Sequence, residues 1–295
     1  MLLKKNTKKN IFVAGMLLIP VAHFIVFWVA VNFNSILLAF QRFDRAIGGN
    51  YFTFNNFKDM AALFGKNGGL RIAFANTFLT WGFTVIFLLP WGFTLTYLLY
   101  KKIALSSLWR TMLFVPALLP TVALTSIFLY IILPEAPVGK FFALFRAGTP
   151  YPFLEAGYAR WTVIGYFFLT NFGGQFVLLS GAMSRIPKEV IESAKIDGAG
   201  TRVEMLRIVL PLCWPTISMI LLLNVTGIFT ASGPVMLLTG GGGNTTTVSF
   251  WIFNSVRNNS VYMPAALGIL LTVILFPIVL LARWGLGKVY ADVEF

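Results

Sequence analysis

The sequence predicts an all-α polytopic membrane protein, with six transmembrane helices and one water-soluble helix pair between the fourth and the fifth. Three observations carry this. The 295-residue chain is 58% hydrophobic and only 11% charged, whereas a soluble domain typically carries about 25% charged residues. Six apolar stretches reach the roughly 20 residues that a helix needs to cross about 30 Å of hydrocarbon. Charge is also concentrated: Ser184 to Pro211 holds nine of the 33 charged residues, five positive and four negative.

The first ten residues carry four lysines, and the apolar run Ile11–Val31 follows. At 21 residues it is longer than a signal-peptide core, and no small-residue cleavage site follows it. It therefore reads as a retained first span. The other predicted spans are Ile72–Tyr100, Thr111–Leu133, Trp161–Met183, Leu212–Ser232 and Pro264–Ala282. Pro90 predicts tilt or a kink in the second. Pro116 and Pro120 in the third need neighbouring helices to accommodate them.

Lys and Arg set the expected orientation. Residues 1–10, 101–110, 183–211 and 283–295 hold 14 Lys/Arg in 62 residues, against nine in the 89 residues of the opposite loops, 41–71, 134–161 and 234–263. The positive-inside rule then places both termini and the helix pair in the cytosol. The net charge of +13 points to anionic lipid beside the loops rather than to nucleic acid. With one cysteine and one histidine the chain has no internal disulfide and no Cys/His metal cluster, and Cys213 reads as a packing residue. Gly240-Gly241-Gly242-Gly243-Asn244 reads as a flexible turn, since no strand precedes it to build a phosphate cradle.

The hydrophilic stretch reads as two short helices. Pro187 suits a first helical position, and Pro187, Val190, Ile191 and Ala194 follow the spacing of one helix face. Gly198 supplies the positive φ that ends the first helix. Thr201 and Glu204 predict a capping box for the second, with Val203, Leu206 and Leu210 as its apolar stripe and Pro211 as its stop. Helices below about 12–15 residues are marginal alone, so the pair must dock against something.

Glu192-Ser193-Ala194, Asp197-Gly198-Ala199, Ile208 and Leu210-Pro211 resemble the EAA motif of bacterial ABC importer permeases. Ser193 is the one departure, standing where alanine is usual. The run Ile186 to Glu189, with Leu237–Gly242 and Leu38–Phe43, resembles the carbohydrate branch of that family. The resemblance implies the type I importer permease fold: a cytosolic tail (1–10), a first helix and outer loop (11–71), a core permease domain (72–282) holding the coupling loop 184–211, and a cytosolic tail (283–295). It implies a multi-pass protein of the bacterial cell membrane that forms half of the pathway for a sugar, an oligosaccharide in particular, with glycerol phosphate or a polyamine as the alternative solute. Its implied partners are a second, different permease, two ATPase subunits that bind ATP and Mg, and an extracytoplasmic solute-binding protein. Glu192, Ser193, Ala194, Asp197, Gly198, Ala199, Ile208, Leu210 and Pro211 would form the ATPase-coupling surface.

The spans themselves carry no Asp, Glu, Lys or Arg, which disfavours a secondary transporter relying on titratable groups. None of the three Gly-Lys pairs has the glycine spacing or the following Ser/Thr of a nucleotide-binding loop, so the chain holds no cofactor or ATPase motif of its own. No cluster of catalytic groups suggests an enzyme. Asn171 and Gln175, at i and i+4 in the fourth span, with Phe172 beside them and Asn224 in the fifth, are the candidate substrate-path residues. Amides and aromatic faces suit a sugar, but buried amides also join helices.

Overall fold

A computed structural model describes residues 2–65, 68–145, 153–230 and 233–289. Its contacts divide the chain into two units, Met1–Leu63 with Ser255–Ile274, and Phe64–Asn254 with Leu275–Phe295.

In the first unit, α1 (Leu2–His23) continues through a π-helical segment, Phe24–Val29, into α2 (Ala30–Ala39). The apolar helix thus runs Phe12–Ala39, beyond the expected end at Val31. The polar residues that seemed to end it do not, because Asn32 Nδ2 donates to the Trp28 carbonyl and Ser35 Oγ to that of Val31. A hairpin follows, β1 (Gln41–Asp44) paired antiparallel with β2 (Gly49–Phe52), then α3 (Asn55–Leu63). Asn56 on α3 donates to the carbonyls of Ala39 and Gln41, and Arg42 pairs with Asp59.

The second unit holds the working parts. Its first span, Gly69–Tyr100, joins α4 (Gly69–Phe83) and α5 (Leu89–Tyr100) through a π-helical segment, Thr84–Leu88. Leu89 N–H reaches back five residues to the Thr84 carbonyl. This wider turn lets a helix absorb Pro90, whose ring would otherwise clash with the carbonyl four residues earlier.

The expected span Thr111–Leu133 is corrected. The structure has α6 (Ser106–Leu118) and α7 (Thr121–Ile132), separated at Leu119 and Pro120. Leu119 is extended (ψ 140), as the steric demand of a following proline requires, whereas Pro116 is carried inside α6. The span-length segment here is Thr121–Leu144, which includes α8 (Pro137–Leu144).

The next span, Ala159–Ser184, comprises α9 (Ala159–Thr170) and α10 (Phe172–Ser184). Gly173 lets α10 lie against α6, since a Cβ there would sit 2.7 Å from the Ala117 Cβ and 3.1 Å from the Leu113 carbonyl oxygen. Gly173→Val is expected to destabilise the protein by about 1–3 kcal/mol through overpacking, whereas Gly174→Ala, with open space at its Cβ, stays near wild type. Thermal midpoints of the detergent-solubilised chain would show the difference.

The helix pair comes next, and then α14 (Trp214–Thr226), shorter than the expected Leu212–Ser232, of which residues 231 and 232 lie outside the described residues. It meets the preceding helix, Thr201–Leu212, at a 70° bend. After α15 (Gly233–Leu238) and α16 (Val248–Arg257), the last helix, Tyr262–Val289, overruns its expected Pro264–Ala282 at both ends. Counting the bent pair as one, the chain has six span-length helices among the described residues. One core cluster packs α5 (Leu89, Phe93, Tyr97), α10 (Leu179, Met183), the helix pair (Ile191, Val209) and α14 (Ile217, Ile220) together.

Candidate functional site: a docking knob and a membrane cavity

The knob begins with α11 (Lys188–Ile196). Pro187 is its N-cap (φ −58, ψ 138) rather than its first helical residue. Gly198 ends it as expected, at φ +78. Ala199 N–H bonds to the Ala194 carbonyl and Gly198 N–H to that of Lys195, the paired pattern that closes a helix on a left-handed residue.

The second helix departs from expectation at three points. No capping box forms: Gly200 is the extended N-cap (φ −70, ψ 163), and the Glu204 side chain turns inward. Its Oε1 accepts from Tyr97 Oη at 3.0 Å, and Lys101 Nζ lies 2.9 and 2.8 Å from its two oxygens. Glu204 is 2% exposed. A carboxylate so buried requires a cation and hydrogen bonds; Tyr97 of α5 and Lys101 just past its end supply them, outweighing the modest gain of a cap. The apolar stripe is displaced as well. Val203 and Leu206 are exposed, while Glu204 and Val209 are buried with Met205, Ile208 and Leu210 packed alongside. The π-helical segment Glu204–Val209, which continues α12 (Thr201–Val203), shifts the face round. Nor does Pro211 stop the helix, which continues as α13 (Leu210–Leu212). Leu210 N–H bonds to Met205 five residues back, the same wide turn that admits Pro90.

The nine coupling candidates therefore divide. Glu192, Ser193, Asp197 and Gly198 face outward. Ala194 is buried, and Ala199, Ile208, Leu210 and Pro211 are partly covered by the protein itself. Among the described residues the Glu192 and Asp197 carboxylates have no ion-pair partner. Beside them Ile196 is 86% exposed on a hydrophilic helix. Free carboxylates around one bare apolar side chain are the features of a candidate docking surface.

The cavity lies among α4, α9 and α14, with a volume of about 300 Å³, at the lower end for small-molecule sites. Asn171 and Asn224 line it, with Trp81, Phe167 and the hydroxyl residues Thr77, Thr80, Thr84, Thr230 and Thr247. No lining residue is charged. Asn171 and Asn224 each donate their amide N–H to the carbonyl four residues back, which leaves the side-chain oxygens as acceptors for a ligand. Trp81 Nε1 donates to the Asn224 carbonyl at 3.1 Å.

Phe172 and Gln175 do not line this cavity. They are buried against α5, near Gly92, with Phe172 stacked on Phe176. The break at Asn171 separates it from Gln175 despite the i, i+4 spacing. The α4 residues were missed by sequence reasoning, although a signal was present. Thr77, Thr80, Trp81 and Thr84 follow i, i+3, i+4, i+7, a polar stripe along one face of an apolar helix.

The turn Gly240–Asn244 is held by side chains rather than left flexible. Asn76 donates to the carbonyls of Asn244 and Thr246, Thr246 Oγ1 to that of Gly241, and Val248 N–H donates to Thr77 Oγ1.

Apolar spans around an uncharged polar cavity, with a charged helix pair whose outer face is exposed, define a membrane transport permease. The chain belongs to the family described as binding-protein-dependent transport system inner membrane component, whose model matches residues 88–289. It is 28% identical over 184 residues to the multiple sugar-binding transport system permease protein MsmF of Streptococcus mutans serotype c. That alignment covers 59% of this chain and 61% of MsmF. Two solved structures share the fold. One is a bacterial ABC transporter involved in import of the acidic polysaccharide alginate, with a TM-score of 0.83 and 21% identity, covering 98% of this chain and 99% of that one. The other is a bacterial alginate ABC transporter in complex with an alginate pentasaccharide-bound periplasmic protein, with a TM-score of 0.82 and 21% identity, covering 96% of each chain.

Proposed function

We propose that this chain is the membrane-spanning permease subunit of an ATP-driven importer, and that it forms half of the pathway for an uncharged sugar, an oligosaccharide in particular. The observation that carries the reading is the cavity: a tryptophan ring, two asparagine oxygens and five threonine residues, without a charge among them. Sugars present hydroxyls and apolar ring faces, which this lining matches. A phosphate ester calls for a cation and a polyamine for carboxylates, and the cavity has neither. The printed functions of MsmF and of the alginate importers agree with a saccharide.

The energy enters from outside the chain. Two cytosolic ATPase subunits, which bind ATP and Mg, receive the knob through Glu192, Ser193, Asp197, Gly198 and Ile196. An extracytoplasmic solute-binding protein delivers the sugar, and a second, different permease completes the pathway. The chain itself catalyses nothing. Both termini and the knob lie in the cytosol. When the ATPases close, the knob moves as a rigid lever and the spans switch between inward-open and outward-open arrangements.

Trp81→Ala and Asn224→Ala are expected to lower uptake of labelled oligosaccharide by about tenfold each at unchanged membrane expression, a loss typical of one stacked ring or one hydrogen bond to a ligand. Gln175→Ala is expected to act on stability instead. Uptake of glycerol phosphate or a polyamine, but of no sugar, would overturn the assignment.

A further inference from the structure

A groove runs between the start of α14 and the end of the last helix. Pro215, Ser218, Met219 and Leu222 line it on one side, and Arg283 and Leu286 on the other. Its volume is about 390 Å³. At its head Trp214 Nε1 donates to the Leu286 carbonyl at 3.0 Å, so the two helices are joined where α14 leaves the 70° bend. Arg283 directly follows the apolar run Pro264–Ala282, which sets its side chain at the level of lipid headgroups. Two tryptophans, Trp214 and Trp284, stand at this level, as the amphipathic belt of a membrane protein does. Lys288 Nζ lies 3.7 Å over the Trp284 ring.

Two polar groups of this groove, on Arg283 and Ser218, stand apart from the protein's own hydrogen bonds and ion pairs among the described residues. Among the described residues Arg283 pairs with no carboxylate. Ser218 Oγ is buried and makes no hydrogen bond, a costly state for a hydroxyl. An exposed guanidinium thus stands over a mostly apolar slot whose wall holds one idle hydroxyl. That is the chemistry of a phosphodiester headgroup above an acyl chain, and basic pockets between spans take anionic lipids in this way.

We propose that this groove is a binding site for one anionic phospholipid, with its phosphate on Arg283 and one acyl chain along Pro215, Met219 and Leu222. The lipid seals the groove directly below the bend at Cys213 and braces the joint between the knob's second helix and α14. Exchange between the two transport states then depends on membrane composition, through residues that touch neither sugar nor ATPase.

Native mass spectrometry of the full chain, exchanged from detergent into mixed phosphatidylglycerol and phosphatidylcholine, tests this. Wild type is expected to retain one phosphatidylglycerol in preference to phosphatidylcholine. Arg283→Gln is expected to lower that retention about tenfold, the effect of losing a charge-assisted hydrogen bond, and Ser218→Ala to lower it less. Lys58→Gln, an exposed cation on α3, serves as the control and keeps the lipid. Arg283 is itself exposed, so its replacement leaves the fold intact. Equal retention of the two lipids, undiminished retention in Arg283→Gln, or an equal loss in Lys58→Gln would each overturn the proposal. So would cross-linking of a Met219→Cys variant to a second permease in membranes, since protein would then fill the groove.

Discussion

Glu204→Ala is expected to free the knob from α5 and to cost about 3 kcal/mol of stability. That is the lower end for removing one partner of a buried ion pair, because the Lys101 side chain retains 25% exposure and can recover some hydration. Glu204 holds two groups at once, Tyr97 Oη and Lys101 Nζ, and the Thr201 carbonyl shares the Tyr97 hydroxyl proton at 3.2 Å. Glu204→Gln keeps the shape and an acceptor for Tyr97 but loses the charge, so its loss is smaller. Lys101→Met alone strands a buried carboxylate and should cost nearly as much as Glu204→Ala. The double replacement Lys101→Met with Glu204→Leu removes both charges, and apolar substitutes for a buried pair are often neutral or stabilising. Its thermal midpoint is therefore expected to recover most of the loss. Uptake should follow the attachment of the knob rather than the charge. A midpoint for Glu204→Ala equal to wild type would show that the contact holds nothing together.

The second large effect is expected at Gly198. Its φ of +78 costs an ordinary side chain about 1–2 kcal/mol, yet the space its Cβ would occupy is empty in this chain. Two replacements separate the two roles. Asn tolerates the left-handed region, so Gly198→Asn keeps the helix ending while placing a side chain where a docked partner would lie. It should leave the midpoint within about 0.5 kcal/mol of wild type and still lower uptake in proteoliposomes by at least tenfold, about 1.4 kcal/mol of lost coupling. Gly198→Val adds backbone strain and should lose both. ATP hydrolysis that continues without uptake would locate the defect in transmission. Wild-type uptake from Gly198→Asn would mean that nothing docks over this residue.

Much of the fold was legible because the strongest signals are local. A run of apolar residues reads as a span wherever it lies. Gly198 reads as a helix end because few other residues take its backbone conformation at low cost. The ends of elements were less legible. Asn32 and Ser35 appear polar in the sequence but return their hydrogen bonds to their own helix. Pro120 breaks a span while Pro90 and Pro211 are carried through by wide turns. Proline restricts its neighbours, but whether a helix widens or breaks depends on what packs around it.

The candidate site divides in the same way. Glu192, Ser193 and Asp197 were found from a linear motif, and they do face outward. Asn171 and Gln175 appeared equivalent, yet one lines the cavity and the other is buried against α5. The threonines of α4 carried a periodic signal that an apolar background obscured.

By itself the sequence determined that this chain lies in a membrane, roughly where most of its spans fall, and that a charged helix pair interrupts them. Those properties follow from composition and from backbone preferences acting over a few residues. Only the tertiary structure decided which face of that pair is buried, that Glu204 is an anchor rather than a cap, and which amides meet the cavity. Such choices depend on partners as distant as Lys101 and Glu204, 103 positions apart, and a pairing at that range leaves no trace in local periodicity.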